Sequence, residues 1–263
     1  MGLFDFLKKK EDKTAKEQSK ILLAMPMFNN GESYKLSDIV EDLRTHWGAA
    51  VTEIHGDDKT ATFNIDGEMA AIGYMPVQIP WADIKNAAQY AYNWPTAEKD
   101  LQSHNAHAIV SVMAGIRTPL ERFRILSKLL CSVLATSNAV GILQGGESLL
   151  IPRDQYLDLA EELKNDRVPV LLWVYIGLRK SGQGNSAYTY GLTNFQKLEM
   201  EVINSSLGPE ELHSLVANVT SYVIGKDIRF KSGETLGYTA EQKIRISQSK
   251  GQFVEGQSLK LEI

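Results

Sequence analysis

Two histidines, His104 and His107, stand three residues apart beside Ser103 and Asn105. Neutral imidazole nitrogens ligate transition metals, and a zinc site needs about four protein ligands when structural, or about three plus water when catalytic. No second Cys/His pair at metal spacing accompanies them, so carboxylates would have to complete the shell. A hydrogen-bonded turn at the entry to a strand is the simpler reading, and neither a metal site nor a cofactor is assigned. Glu199 and Glu201 alternate with Leu198, Met200 and Val202, which puts both carboxylates on one face of a strand. Like charges at close range raise one pKa and suit acid/base work. Period-two alternation by itself predicts the solvent face of an amphipathic strand, and that is the expectation here. His104, His107, Glu199 and Glu201 are the catalytic candidates from which a hydrolase or metal-dependent enzyme would be built.

A second group is aromatic. Trp173, Tyr175, Tyr188 and Tyr190 flank the polar segment from Arg179 to Ser186, which contains Gly182 and Gly184. Aromatic strands beside a polar loop suit the lining of a small-molecule or peptide pocket, so these four are the ligand-binding candidates. Glycines next to Arg179 and Lys180 would expose backbone N–H groups to an anion. The segment lacks the Gly-Lys-Ser/Thr ending of a phosphate loop, and a mobile connection between two strands explains it. No nucleophile elbow, metalloprotease helix, dinucleotide fingerprint or kinase set occurs.

Composition narrows the function classes further. The 263 residues carry 28 basic and 32 acidic side chains, a net charge of −4, which disfavours nucleic acid as a partner. With 43% hydrophobic residues the chain can bury a large core. Its one cysteine, Cys131, sits among Leu129, Leu130, Val133 and Leu134 and reads as a buried thiol in a reducing compartment. No apolar run approaches the roughly 20 residues that span a bilayer. Met1 to Lys10 lacks the features of a secretory signal, so a cytoplasmic location is expected.

The elements that would position these side chains follow from periodicity. Residues 1–20 read as a flexible polar and basic tail. Within it, Leu3, Phe4, Phe6 and Leu7 precede Lys8, Lys9 and Lys10, the outline of a weak peripheral membrane contact or of a segment that docks on a protein partner. A strand from Ile21 to Phe28 is followed by a helix carrying Leu36, Ile39, Val40, Leu43 and Trp47, capped by Ser37 and ended by Gly48. Two strands joined at Asp66-Gly67 come next, and Ile79-Pro80 leads into a helix from Trp81 to Trp94. From His107 the order repeats: a strand, a helix opened by the capping box Thr118-Pro119-Leu120-Glu121, two strands, and Ile151-Pro152 before another helix. An internal duplication is the expectation. A third, altered unit then has a long apolar strand from Val168 to Leu178, two further strands and a helix from Pro209 to Ile224. The predicted class is α+β, with repeated strand-helix-strand-strand (ferredoxin-like) units whose helices pack on antiparallel or mixed sheets. The expected division is an N-terminal unit over residues 21–100 and a C-terminal region over 104–263.

Several pieces in order carry a resemblance: His107-Ala108-Ile109-Val110, Asn138-Ala139-Val140-Gly141, Thr189-Tyr190-Gly191-Leu192, Leu198-Glu199-Met200-Glu201, Tyr222-Val223-Ile224 and Ser232-Gly233-Glu234-Thr235-Leu236-Gly237. On these residues the stretch from His104 to Gly251 resembles an uncharacterised bacterial family, domain of unknown function 4261. The family pattern has aromatic residues after Val140-Gly141 where this chain has Ile142-Leu143-Gln144. The resemblance implies a fold and no activity. A non-catalytic binding or protein-interaction module is therefore the leading expectation.

Overall fold

The computed structural model describes residues 21–113, 115–144, 146, 148–237 and 243–263. The apolar and lysine residues of the tail, Leu3 to Lys10, lie outside the described residues. The chain is α+β and divides into two compact units, residues 1–160 and 161–263.

The first unit is built on one antiparallel sheet. Its strands are β1 (Leu22–Asn29), β2 (Val51–Gly56), β3 (Thr60–Ile65), β4 (Glu68–Met75), β5 (His104–Val112), β6 (Gly141–Gln144) and β7 (Leu149–Pro152). They lie in the order β2-β3-β4-β5-β1-β6-β7. The helices are α1 (Leu36–Thr45), α2 (Trp81–Ala88), α3 (Ala97–Leu101), α4 (Pro119–Thr136) and α5 (Arg153–Ala160). Asp66 and Gly67 both have positive φ and close the β3–β4 hairpin, as an Asp-Gly pair is suited to do. Thr118 and Glu121 satisfy each other's backbone N–H groups in a complete capping box, with Pro119 in the first turn of α4. Eighteen residues long, α4 packs on α1, α5, β1 and β5, so it is buried on several sides. The opposite face of β1, β6 and β7 is covered by the segment holding α2 and α3, through Met25, Met27, Ile84, Trp94, Leu101, Leu143 and Leu150. Leu126 and Leu130 are both almost wholly buried. Changing either to Ala is expected to cost about 2–5 kcal/mol. Urea titration of the full chain measures it, and an unchanged midpoint for both variants would show that α4 does not carry the core.

Four expectations are corrected. The boundary near residues 100–104 is replaced by one at 160/161, because β5 hydrogen-bonds to β4 on one side and β1 on the other and so ties both halves into one sheet. The duplication fails at the level of sheet order. After α1 the chain enters at the outer edge through β2, an additional strand, and works inward to β4. After α4 it enters beside β1 through β6 and works outward to β7. Ser37 is not the cap of α1: that position is Lys35, and the Ser37 hydroxyl donates to Asp38 Oδ1. The long strand expected from Val168 starts only at Tyr175, because Val170–Leu172 form a 3-10 turn behind Pro169.

The second unit holds a mixed sheet of β8 (Tyr175–Ser181), β9 (Gly184–Tyr190), β10 (Met200–Ser205), β11 (Thr235–Gly237), β12 (Lys243–Lys250) and β13 (Gln257–Glu262) in the order β11-β12-β13-β10-β9-β8. Among the described residues only β10 and β13 pair in parallel, and the crossover between them includes α6 (Pro209–Gly225). Leu212, Leu215, Val216, Val219 and Val223 of α6 are buried together with Ile176, Ala187, Val202, Ile244, Ile246 and Leu261 of the sheet. The residues one position out of phase (Tyr175, Gly177, Arg179, Tyr188, Glu201 and Lys260) share the other face, as the strand register requires.

Candidate functional site

The histidines are internal braces of the first unit. Nε2 of His104 accepts the Ile79 N–H at 3.1 Å while its Nδ1–H donates to the Leu101 carbonyl at 2.6 Å, which fixes a neutral ring with both nitrogens occupied. Nδ1–H of His107 donates to the Val77 carbonyl at 2.8 Å. Burial holds both rings below the ordinary histidine pKa, against the opposing pull of those carbonyls. Together the two side chains clamp the ends of the excursion that carries α2 and α3 between β4 and β5. His104 has no lone pair left for a metal. Among the described residues, no group of three His, Cys, Asp or Glu side chains is placed to hold a metal ion.

The glutamates lie in the second unit and are equally committed. Glu199 accepts from Thr189 Oγ1 at 2.6 Å, Gly191 N at 2.9 Å and Thr193 N at 3.3 Å, and burial raises its pKa against the lowering effect of these donors. Glu201 is wholly buried. It accepts from the N–H groups of Gln252 and Phe253, from Ser258 Oγ and from Lys260 Nζ. Burial pushes its pKa up, but the Lys260, Ser258, Phe253 and Gln252 donors outweigh it and the net direction is down. The expected solvent face is therefore a correction: Glu199 precedes β10 and bonds Thr189, one position out of phase with Tyr188, whereas Glu201 shares the Tyr188 face, and the loops after β9 and β12 cover the two. Each carboxylate holds one of those loops, and the hydrogen bonds of all four candidates run within their own units. The enzyme reading loses the accessible acid/base group on which it depended.

Of the aromatic candidates, the structure brings Tyr175 and Tyr188 together edge to face at 6.2 Å, while Trp173 is buried in the core 5.9 Å from Phe195 and Tyr190 is half-exposed. Two further residues join Tyr188 that sequence reasoning missed. The Phe253 ring stacks on it at 5.5 Å, and the Arg179 guanidinium lies 5.8 Å from its centroid. Gly177 supplies the slot, since a Cβ there would come within 2.2 Å of the Tyr188 ring. Phe253 is 65 residues from Tyr188 in the chain, so no local signal announced their contact.

The second unit also has a groove of about 450 Å³ between α6 and the edge of the sheet. Leu215, Val219, Leu236 and Ile244 make its apolar floor, and Ser214, Asn218 and Tyr222 give it a polar rim. Leu236 of β11 stands opposite Ile244 of β12, and β11 is the outermost strand. The rim repeats at helical spacing, a stripe visible in the sequence once the buried stripe beside it is known.

The residues that line this groove all fall within a stretch that a family model matches. Residues 188–262 match the domain of unknown function DUF4261. The DUF4261 match starts inside β9 and takes in β10, α6 and β11 to β13, so it supports the resemblance read over residues 104–251 from residue 188 onward, and the pieces at residues 107–110 and 138–141 lie outside it. Neither the curated proteins nor the solved structures compared with the chain include a match. Among the described residues, no helix is long and apolar enough to cross a membrane.

Proposed function

We propose that the chain is a non-catalytic protein-interaction module whose second unit binds an extended peptide segment of a protein partner. The observation that carries this reading is the groove beside β11. An edge strand presents unpaired backbone groups to a new strand, and alternate side chains of that strand would drop onto Leu215, Val219, Leu236 and Ile244. Main-chain hydrogen bonds then supply affinity and the apolar floor supplies selectivity. Ser214, Asn218 and Tyr222 offer hydrogen bonds at the rim. The buried, hydrogen-bonded state of His104, His107, Glu199 and Glu201 supports binding over chemistry. We place the module in the bacterial cytoplasm, supported by its family resemblance and by a single, buried thiol, Cys131.

A display library of random peptides, selected against the full chain, tests this directly. Selected peptides should alternate apolar and polar residues, and Leu236→Asp or Tyr222→Asp should weaken them by roughly 10-fold or more. Absence of selected peptides, or binding that neither substitution alters, would overturn the reading.

A further inference from the structure

A second groove, of about 640 Å³, lies in the first unit between α1 and β2. Its apolar side chains are Leu36, Val40 and Ile54, and its polar ones include Glu41, Arg44 and Asp58. Ile54 is there because β2 is bulged. Thr52 pairs with Asn64 and His55 with Thr62, so Glu53 and Ile54 together stand opposite Phe63 alone. Phe63 is buried, while Ile54 lines the groove together with Leu36 and Val40 of α1. Within the bulge Glu53 adopts φ +51°, a conformation that non-glycine residues adopt at a cost. The result is a large apolar side chain, 38% exposed, held beside α1.

We propose that this groove is the intramolecular docking site of the chain's own N-terminal segment, Leu3 to Lys10. Three observations converge on that occupant. The segment offers Leu3, Phe4, Phe6 and Leu7 for the floor formed by Leu36, Val40 and Ile54. Its three lysines, against the single Asp5, face a lining in which Glu41 and Asp58 outnumber Arg44, whose guanidinium is already donating to the Val51 carbonyl at 2.8 Å. The tether also has the right length. The described chain begins next to β1, which runs parallel to β2 four strand positions away, a separation of ~19 Å. The 13 residues from Lys8 to Lys20, behaving as a flexible chain, have a root-mean-square span of about 20 Å. A tether matched to its span gives an effective concentration on the order of millimolar, so even a weak contact is occupied within one molecule.

The test uses the full chain with Gly2→Cys carrying a nitroxide, while Cys131 is buried and shielded from the reagent. Methyl NMR signals of Ile54, Val40 and Leu36 should lose most of their intensity, and those of Leu149 and Leu150 on β7, at the opposite edge of the same sheet, should keep theirs. Ile54→Asp should abolish the effect. Leu3→Asp with Phe6→Asp, which leaves every described residue unchanged, should abolish it as well and controls for an Ile54→Asp variant that fails to fold. Mixing labelled chains with isotopically labelled, nitroxide-free ones separates docking within a molecule from docking on a second copy. Broadening in that mixture would overturn the proposal. So would unbroadened groove methyls in a chain that instead sediments with phosphatidylserine vesicles, which would make the segment a membrane contact.

Discussion

Replacing Arg122 by Met is expected to destabilise the first unit by about 3–5 kcal/mol, a large share of the roughly 5–15 kcal/mol that separates folded from unfolded chains. The Arg122 and Glu68 side chains are 2% and 1% exposed, with Nε and Oε2 3.9 Å apart. One guanidinium nitrogen donates to the Val112 and Met113 carbonyls at 3.1 and 2.7 Å. Glu68 Oε1 accepts the N–H groups of Ile116 and Arg117 at 3.1 and 2.8 Å, which ties β4 to the turn before α4. Removing the cation leaves a buried carboxylate without its counter-charge and two carbonyls without their donor. The full cost of desolvation then appears. Adding Glu68→Gln should recover part of the loss, because a neutral amide keeps an acceptor for Ile116 and Arg117. Chemical unfolding of the two variants decides the matter. A loss below about 1 kcal/mol for Arg122→Met would mean that the pair contributes no more than a surface ion pair.

The second large effect separates two glutamates that stand two residues apart. Glu201→Ala strands two N–H groups, a hydroxyl and the Lys260 ammonium, and is expected to cost about 3–5 kcal/mol at neutral pH. The pH dependence gives each carboxylate its own sign. Glu201 has a folded pKa below that of the unfolded chain, about 4.3 for Glu, so its stabilisation is present above that value and is lost as pH falls through the folded pKa. Glu199 has a folded pKa raised by burial. Between the unfolded and folded values the native chain holds a proton that the unfolded chain has released, so stability falls as pH rises through that window. Glu199→Gln mimics the protonated form and should remove this decline, with little loss at acid pH. Thermal unfolding of the wild type and of Glu199→Gln from pH 4 upward measures it. Parallel curves for the two proteins would show that Glu199 keeps an ordinary pKa despite its burial.

Both effects arise from polar groups whose roles the sequence showed only in part. Alternation placed Glu201 in a strand but did not extend to Glu199, which precedes β10, while His104 and His107 were set at a strand entry and β5 does begin at His104. Whether those positions meet water was not a local property. Burial of Glu201 depends on Gln252, Phe253, Ser258 and Lys260, more than 50 residues away, and that of His104 on Ile79, 25 residues earlier. The aromatic group was likewise half legible: Tyr175 and Tyr188 meet because their strands form a hairpin, whereas Phe253 arrives through a loop.

The sequence by itself determined the features set by neighbours a few positions apart. These are the α4 start at Thr118, the hairpin at Asp66-Gly67, the span of α6 between Pro209 and Gly225, and the α+β class, because caps, turns and amphipathic stripes need only local backbone geometry and local burial. Tertiary structure alone decided that β5 lies between β4 and β1, that the chain divides after residue 160, and that β2 bulges to bring Ile54 beside α1. Strand pairing across tens of residues is selected by the whole sheet's burial and hydrogen bonding, and no short window of sequence carries that information.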